Sequence, residues 1–224
     1  MCFSAEASFS AATFLSVVGV ASLRRAANYK LLLAAIPLLF AIQQLSEGVL
    51  WVYLGRNWPH DIFFSSAQHI FLIFAFLIWP IWIPLSLARA ERTIWRRRVL
   101  FGITACGALL AMINAMYAME TSISVAIVGH SLQYEGRVPS QALIYPLIVL
   151  APCFVSSLRY ISLFGVLVAI GYAVASYFYT SAFVSVWCFF AALVSLLVYW
   201  SVGRKSSDIE EDSQVVANAP AQDE

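Results

Sequence analysis

A carboxylic acid, Glu47, and an imidazole, His69, lie inside two long apolar stretches of this sequence. Within the hydrocarbon of a membrane such side chains are costly unless they face neighbouring helices and find partners, so each is a candidate functional residue. Both lie seven residues from the predicted end of their stretch, a shared depth of about 10 Å at 1.5 Å per residue. A carboxylate and an imidazole at one depth predict a paired site for a proton, a small ligand or a metal ion.

Polar side chains of five apolar stretches keep to one side of the predicted membrane, although successive stretches run in opposite directions. This pattern predicts a polar cavity in the outer half of a helix bundle. Residues one helical turn away share a face with Glu47. For the amide side chains, ordinary hydrogen bonding between membrane helices is the alternative role. The predicted ligand-binding residues are Glu47, His69, Gln43, Gln44, Gln68, Asn114, Trp51 and Glu6.

Three functions remain open on these residues. The first is binding of a small ligand, a proton or a metal ion, in a sensor-like or a transport-like protein. The second is an intramembrane enzyme in which Glu47 is a general base or metal ligand beside His69, with Glu6 or Cys2 completing three protein ligands. The third is a structural scaffold that holds partners. No cofactor is assigned, and the candidate metal ligands are Glu47, His69, Glu6 and Cys2.

Composition places the chain in a membrane. Of its 224 residues, 62% are apolar and 11% charged, with a formal net charge of +1 and a mean hydropathy of +0.82. Soluble domains are about half apolar and about a quarter charged. A soluble globular protein, a disordered chain and a nucleic-acid-binding protein are therefore excluded. The four cysteines show no CxxC spacing, so neither a thiolate zinc site nor a disulfide framework is expected.

Seven apolar stretches approach the length of about 20 residues that a helix needs to cross a membrane. The third is overlong and contains Pro80 and Pro84, which predicts a kink near its end. The fifth is short and contains Pro146 and Pro152. The fold predicted is an all-α bundle of seven transmembrane helices. The predicted spans are 6–23, 31–54, 62–88, 99–119, 141–158, 160–179 and 182–201.

The positions of lysine and arginine predict the orientation of the bundle. With seven spans, eleven basic residues fall on the side of the C-terminus and two, Arg56 and Arg137, on the other. Basic loops stay in the cytoplasm, so the N-terminus is predicted outside and the C-terminus inside a plasma membrane. Residues 1–202 form the predicted membrane domain, and the acidic tail 203–224 is predicted to be disordered in the cytoplasm. The lipid bilayer and a small ligand or ion from outside are the expected partners.

One long loop, 120–140, is predicted on the outer side. It contains two runs rich in β-forming residues around Gly129 and His130, which predicts a short hairpin over the outer mouth. An interfacial helix is the alternative.

Two sequence segments carry a resemblance to a known family. The chain opens MCFSAEASFSAATFL, a basic pair follows, and the second span contains FAIQQLSEGVLW. These segments resemble an uncharacterised family of bacterial integral membrane proteins with an N-terminal MCFSA-type signature. The resemblance covers the first two or three spans and implies a multi-pass protein of the bacterial cytoplasmic membrane. It implies no activity. The residues that carry it are Cys2, Phe3, Ser4, Ala5, Ser8, Phe9, Gln44, Glu47, Gly48 and Trp51.

Overall fold

A computed structural model describes residues 4–120, 123–135, 144–178 and 182–203 of the chain. The predicted acidic tail lies outside these residues from position 204 onward, so its disorder stays a prediction. The helices are α1 Ala5–Arg25, a 3-10 turn Asn28–Lys30, α2 Leu31–Ala34, α3 Ile36–Gly55, α4 Ile62–Ile73, a π-helical turn Phe74–Ile78, α5 Trp79–Ala90, α6 Ile94–Glu120, α7 Ile144–Val155, α8 Arg159–Phe178, α9 Phe183–Val194 and α10 Leu196–Val202. Two strands, β1 Ser124–Val128 and β2 Ser131–Glu135, lie between α6 and α7.

Six helical stretches in the described part of the chain are long and apolar enough to cross a membrane. The fourth belongs to α6, which begins at Ile94 and not at residue 99, because arginine is a good helix former and hydropathy marks only the apolar part of a helix. The six stretches are Ala5–Arg25, Asn28–Gly55, Ile62–Ala90, Ile94–Ala118, Tyr160–Phe178 and Phe183–Val202.

The stretch predicted as the fifth span behaves differently. Its described helix, α7, has 12 residues and is about 18 Å long. A membrane core is about 30 Å thick, so α7 by itself is shorter than a span. In the described part of the chain, six of the seven predicted spans are thus helical stretches of spanning length, and the fifth contains the short helix α7.

A π-helical turn interrupts the third span just before α5. Pro80 has no N–H, so helix carbonyls of the preceding turn lack their usual donor. Two side chains take their place: the Tyr145 hydroxyl donates to the carbonyl of Ala75, and Asn114 Nδ2 donates to the carbonyl of Phe76 at 3.1 Å. The predicted distortion of this span therefore lies before Pro80, in mid-helix. The two hydrogen bonds connect α6 and α7 to this turn.

Glycines allow close approach between helices. A Cβ atom at Gly107 of α6 would lie 1.9 Å from the carbonyl oxygen of Pro80, so only glycine permits this contact. A Cβ at Gly48 of α3 would lie 2.8 Å from the ring of Phe9 on α1. Small residues at helix contacts are the usual basis of close packing between membrane helices.

The long loop contains the predicted hairpin and not the alternative helix. Strands β1 and β2 pair antiparallel, with Val125 opposite Tyr134. Gly129 and His130 form the turn between them, and Gly129 has a φ of +61°. Glycine adopts this conformation without steric cost, which makes a two-residue hairpin turn favourable.

The hairpin packs into the bundle and does not simply lie over its mouth. Leu132 is fully buried, and Tyr134 stacks on Phe71 of α4 with ring centroids 4.8 Å apart. The same apolar cluster includes Leu50 and Trp51 of α3. Non-helical backbone inside a membrane protein is stable only where protein encloses it, and this packing supplies that enclosure.

Several helix ends meet at the opposite side of the bundle, called the Arg25 end below. The Arg25 guanidinium lies 4.5 Å from the ring centroid of Tyr199 on α10. Glu91, between α5 and α6, accepts hydrogen bonds from the backbone N–H and hydroxyl of Ser157 at 2.7 and 2.9 Å, and from the backbone N–H of Thr93 at 3.0 Å. Glu91 thus joins the α5–α6 and α7–α8 connections.

Candidate functional site

Glu47 lies on α3 with its side chain fully buried. Gln44, one turn earlier on the same helix, donates from Nε2 to Glu47 Oε2 at 3.2 Å. Ser185 of α9 donates through its hydroxyl to Glu47 Oε1. The carboxyl group therefore faces the bundle interior and connects α3 to α9, as an ionisable group inside a membrane protein must.

Several buried polar atoms near this carboxyl have no hydrogen-bond partner within the described residues. Three belong to α3 within about one turn of Glu47, and one belongs to α1, which contacts α3 through Phe9 and Gly48. Buried polar groups almost always have a protein or water partner, so these atoms mark a place for water or a polar ligand. They are Gln44 Oε1, Trp51 Nε1, Ser8 Oγ and Gln43 Nε2, the last of which has only the weakly accepting Cys188 sulfur beside it.

These residues together with Glu47 and Ser185 form what is called the Glu47 cluster below. On its side toward the Arg25 end, Gln43 Oε1 accepts a hydrogen bond from Trp79 Nε1 at 2.8 Å. The Trp79 ring stacks on Phe40 with centroids 3.9 Å apart. Cys188, one turn after Ser185 on α9, lies beside Glu47 and Gln43. An aromatic pair thus bounds the cluster on that side.

The structure does not bring His69 to Glu47. His69 is exposed, and its Nδ1 lies 2.6 Å from the carbonyl oxygen of Ser65, one turn earlier on the same helix. The equal depth expected from the sequence does not decide direction, because a helix turns each residue by about 100° and His69 faces outward on α4. The expected pair is therefore replaced by Glu47 with Gln44 and Ser185.

The other two candidate metal ligands predicted from the sequence are Glu6 and Cys2. Glu6 is exposed in the first turn of α1, and Cys2 lies outside the described residues. Among the residues that the structure describes, no group of three histidine, cysteine or acidic side chains is arranged to hold a metal ion.

Gln68 and Asn114 have structural partners. Gln68 Nε2 donates to the carbonyl of Ile123, which holds the start of the hairpin on α4. Asn114 donates to the carbonyl of Phe76 next to the π-helical turn. Of the predicted ligand-binding residues, the structure thus groups Gln43, Gln44, Glu47 and Trp51, and it places Glu6, His69, Gln68 and Asn114 elsewhere.

Two members of the cluster were not predicted as site residues. Ser185 is a single hydroxyl within the apolar run FVSVWCFF, and its isolation is the signal that could have marked it. Ser8 was one of several small polar residues at the start of the first span, and only packing of α1 on α3 distinguishes it from its exposed neighbour Ser10.

Long apolar helices enclosing a buried polar cluster define a class, the polytopic helical membrane proteins. Within that class the chain belongs to the DUF6629 family, a family of unknown function whose model matches residues 1–213. This agrees with the resemblance to an uncharacterised family. No curated protein and no solved structure matches the chain.

Proposed function

We propose that this membrane protein binds a proton, together with water or a small polar ligand, at the Glu47 cluster. The observation that carries the proposal is a fully buried carboxyl group with buried polar atoms nearby that have no hydrogen-bond partner in the described part of the chain. A carboxylic acid is an expensive way to make a structural hydrogen bond inside a membrane, so function is the default interpretation of such a residue.

The surroundings of the cluster favour sensing over transport. Glu47 is eight residues before Gly55, the last residue of α3, which is about 12 Å of helix. Toward the Arg25 end the interior is filled by apolar side chains such as Phe40, Ile83 and Leu87. An apolar barrier thus lies between the cluster and the Arg25 end, and a transport route would have to cross it.

The orientation belongs to the same proposal. Tyr145, near the start of α7, bonds to the carbonyl of Ala75 in the middle of the third span, and Ser157, after α7, bonds to Glu91. The hairpin packs over the remaining half of the third span, at Phe71. Hairpin and α7 together would make a seventh crossing. The basic Arg25 end would then face the cytoplasm of a bacterium and the hairpin the outside.

Infrared difference spectroscopy of the reconstituted full chain tests the site, with the pH stepped between about 9 and 5, a range that includes documented buried carboxyl groups. We expect a carboxyl C=O band that changes with pH, shifts on transfer to D2O and is absent in Glu47→Gln. Because His69 is apart from Glu47, His69→Ala should keep the band. Identical spectra for the wild type and Glu47→Gln would refute the proposal and favour a scaffold role.

A further inference from the structure

The π-helical turn of the third span is held partly by side chains from other helices. The carbonyls of Ala75 and Phe76 accept hydrogen bonds from the side chains of Tyr145 and Asn114, and Pro80 offers no N–H to this turn. Hydroxyl and amide side chains rotate, whereas the backbone N–H groups of a regular helix are fixed. Sharp bends in helices occur at such turns and at prolines, and single π-helical turns are frequent at functional sites. The third span can therefore bend at this turn more easily than elsewhere.

Trp79 connects this turn to the Glu47 cluster. It is the first residue of α5 and directly follows the π-helical turn. Its Nε1 donates to Gln43 Oε1 at 2.8 Å, and its ring stacks on Phe40 with centroids 3.9 Å apart. Gln43 and Phe40 both belong to α3. One hydrogen bond and one stacking contact thus hold the start of α5 on α3.

The charge on Glu47 acts on the orientation of the Gln43 amide. Because Gln43 Oε1 accepts from Trp79, its Nε2 points the other way, toward Cys188, which lies beside both Gln43 and Glu47. A carboxylate attracts the N–H side of an amide, and charge interactions are stronger in a buried site than in water. Ionised Glu47 therefore favours the amide orientation that Trp79 requires, and a neutral carboxyl group favours it less.

Ionisable groups on the elements that pack on α3 were compared by position. Cys188 of α9 lies beside Glu47. Glu6 of α1 and His69 of α4 are exposed on the surface of the bundle, and neither α2 nor β1 contains an ionisable side chain. The remaining described ionisable residues of α1 and α10 belong to the Arg25 end, and they are Arg24, Arg25 and Tyr199. Glu47 is thus the acidic group next to Gln43 among the described residues of these elements.

We propose that the π-helical turn is a hinge of the third span and that the Glu47 cluster controls it through Gln43 and Trp79. This inference rests on the proposed binding of a proton at Glu47 and adds its consequence for the fold. With Glu47 ionised, Gln43 accepts from Trp79 and α5 stays on α3. Protonation removes the charge, so the amide rotates more freely and α5 moves about the turn. A proton shifts this equilibrium because it changes the free energy of one hinge position relative to the other.

The distance between two spin labels on the full chain in nanodiscs tests the hinge. One label replaces Arg89, an exposed residue ten positions after the start of α5, and the other replaces Val20, an exposed residue of α1, which packs on α3. Cys2 and Cys106 are first changed to serine so that they take up no label. Ten residues of helix measure about 15 Å, so a bend of about 20° moves position 89 by about 5 Å. We expect this shift between about pH 9 and pH 5, with the same midpoint as the carboxyl band in the infrared spectrum.

Three variants identify the connection. Glu47→Gln should hold the distance at its acid value at every pH, because the amide is neutral. Trp79→Phe keeps a ring on Phe40 but removes the donor to Gln43, so it should keep a titrating carboxyl band and lose the change in distance. Trp82→Phe is the matched control on the same helix, because Trp82 Nε1 donates at 2.9 Å to the backbone carbonyl of Leu32, and it should keep both.

The two measurements separate failure of the hinge from failure of the proton site. A titrating carboxyl band without a change in distance would overturn the hinge and leave the proton site standing, whereas absence of the band would overturn both. A change in distance that persists in Trp79→Phe, or that is lost equally in Trp82→Phe, would exclude the connection through Gln43. Glu47→Gln decides the question even if Trp79→Phe folds poorly, because a distance that still changes with pH in Glu47→Gln would also overturn the proposal.

Discussion

Glu47 and Glu91 are both buried carboxyl groups that join distant segments, yet their partners differ in kind. Glu91 accepts from two backbone N–H groups, those of Ser157 and Thr93, as well as from a hydroxyl. Among the described residues, Glu47 accepts from the side chains of Gln44 and Ser185, and buried polar atoms near it have no partner there. Backbone N–H groups are permanent donors, whereas amide and hydroxyl side chains rotate to donate or accept.

Fixed donors and rotatable donors suit different roles of a buried carboxyl group. Permanent donors require an acceptor at all times. The surroundings of Glu91 therefore favour a single protonation state, the ionised carboxylate. Rotatable partners tolerate a change of protonation, so the surroundings of Glu47 suit a group that gains and loses a proton. The comparison indicates a structural role for Glu91, and it supports the proposal that Glu47 binds a proton.

The largest effect is expected for Glu91→Ala. It removes the acceptor of two backbone N–H groups and a hydroxyl, and each buried donor left unsatisfied costs about 1 to 3 kcal/mol. We expect the free energy of unfolding to fall by about 3 kcal/mol, measured by titrating the micelle-solubilised protein with a denaturing detergent. Ser157→Ala, which removes only the hydroxyl donor, should cost about 1 kcal/mol. Equal costs would mean that the backbone donors contribute nothing.

The pH dependence of stability gives the second test. Burial raises the pKa of Glu91, but hydrogen bonds from the backbone N–H groups of Ser157 and Thr93 and from the Ser157 hydroxyl outweigh burial and lower the pKa below its ordinary value of 4.5. A carboxyl with a lowered pKa in the folded state stabilises the fold above pH 4.5 and loses this contribution as the pH falls through the folded pKa. The melting temperature of the wild type should therefore fall as the pH is lowered, and it should fall less in Glu91→Ala. A loss of equal size in the variant would assign it to other groups.

An intermediate effect is expected at the π-helical turn. Asn114→Ala removes the donor to the Phe76 carbonyl, and polar interactions between membrane helices are worth about 0.6 to 2 kcal/mol. We expect a loss of about 1 kcal/mol by the same detergent titration. Thr104→Ala on the same helix is the control, because the Thr104 hydroxyl bonds only to the carbonyl of Leu100 within its own helix. If both variants cost the same, Asn114 does not support the turn.

The smallest effect is expected for Glu47→Gln. The new amide has an oxygen for Gln44 and a nitrogen for Ser185, whose hydroxyl can turn to accept, so the stability should change by less than about 1 kcal/mol. Glu91→Gln is the matched control and should cost about 2 kcal/mol, because one amide nitrogen then faces a backbone N–H. A larger cost at Glu47 than at Glu91 would reverse the assignment of the two acids.

The sequence also predicted much of the architecture. Six of the seven apolar stretches are helices of spanning length, and the two β-prone runs around Gly129 form the expected hairpin. The length of an apolar stretch and a turn-forming glycine are local features of the sequence, so they can be read without the tertiary structure. The grouping of Glu47, Gln43, Gln44 and Trp51 was predictable for a similar reason, since they share one face of a single helix; their role as a binding site stays a prediction.

Tertiary packing alone decided the partners. Sequence distance gives the depth of His69 but not its direction, and packing turns it outward on α4. Ser185 reaches Glu47 from a helix 138 residues away in sequence, and Asn114 meets the carbonyl near Pro80 because Gly107 lets α6 approach α5. The sequence by itself therefore determined the membrane class, the long helices and the buried acid. The rotation and contact of those helices decided what surrounds it, because interhelical partners depend on side-chain packing that no local pattern encodes.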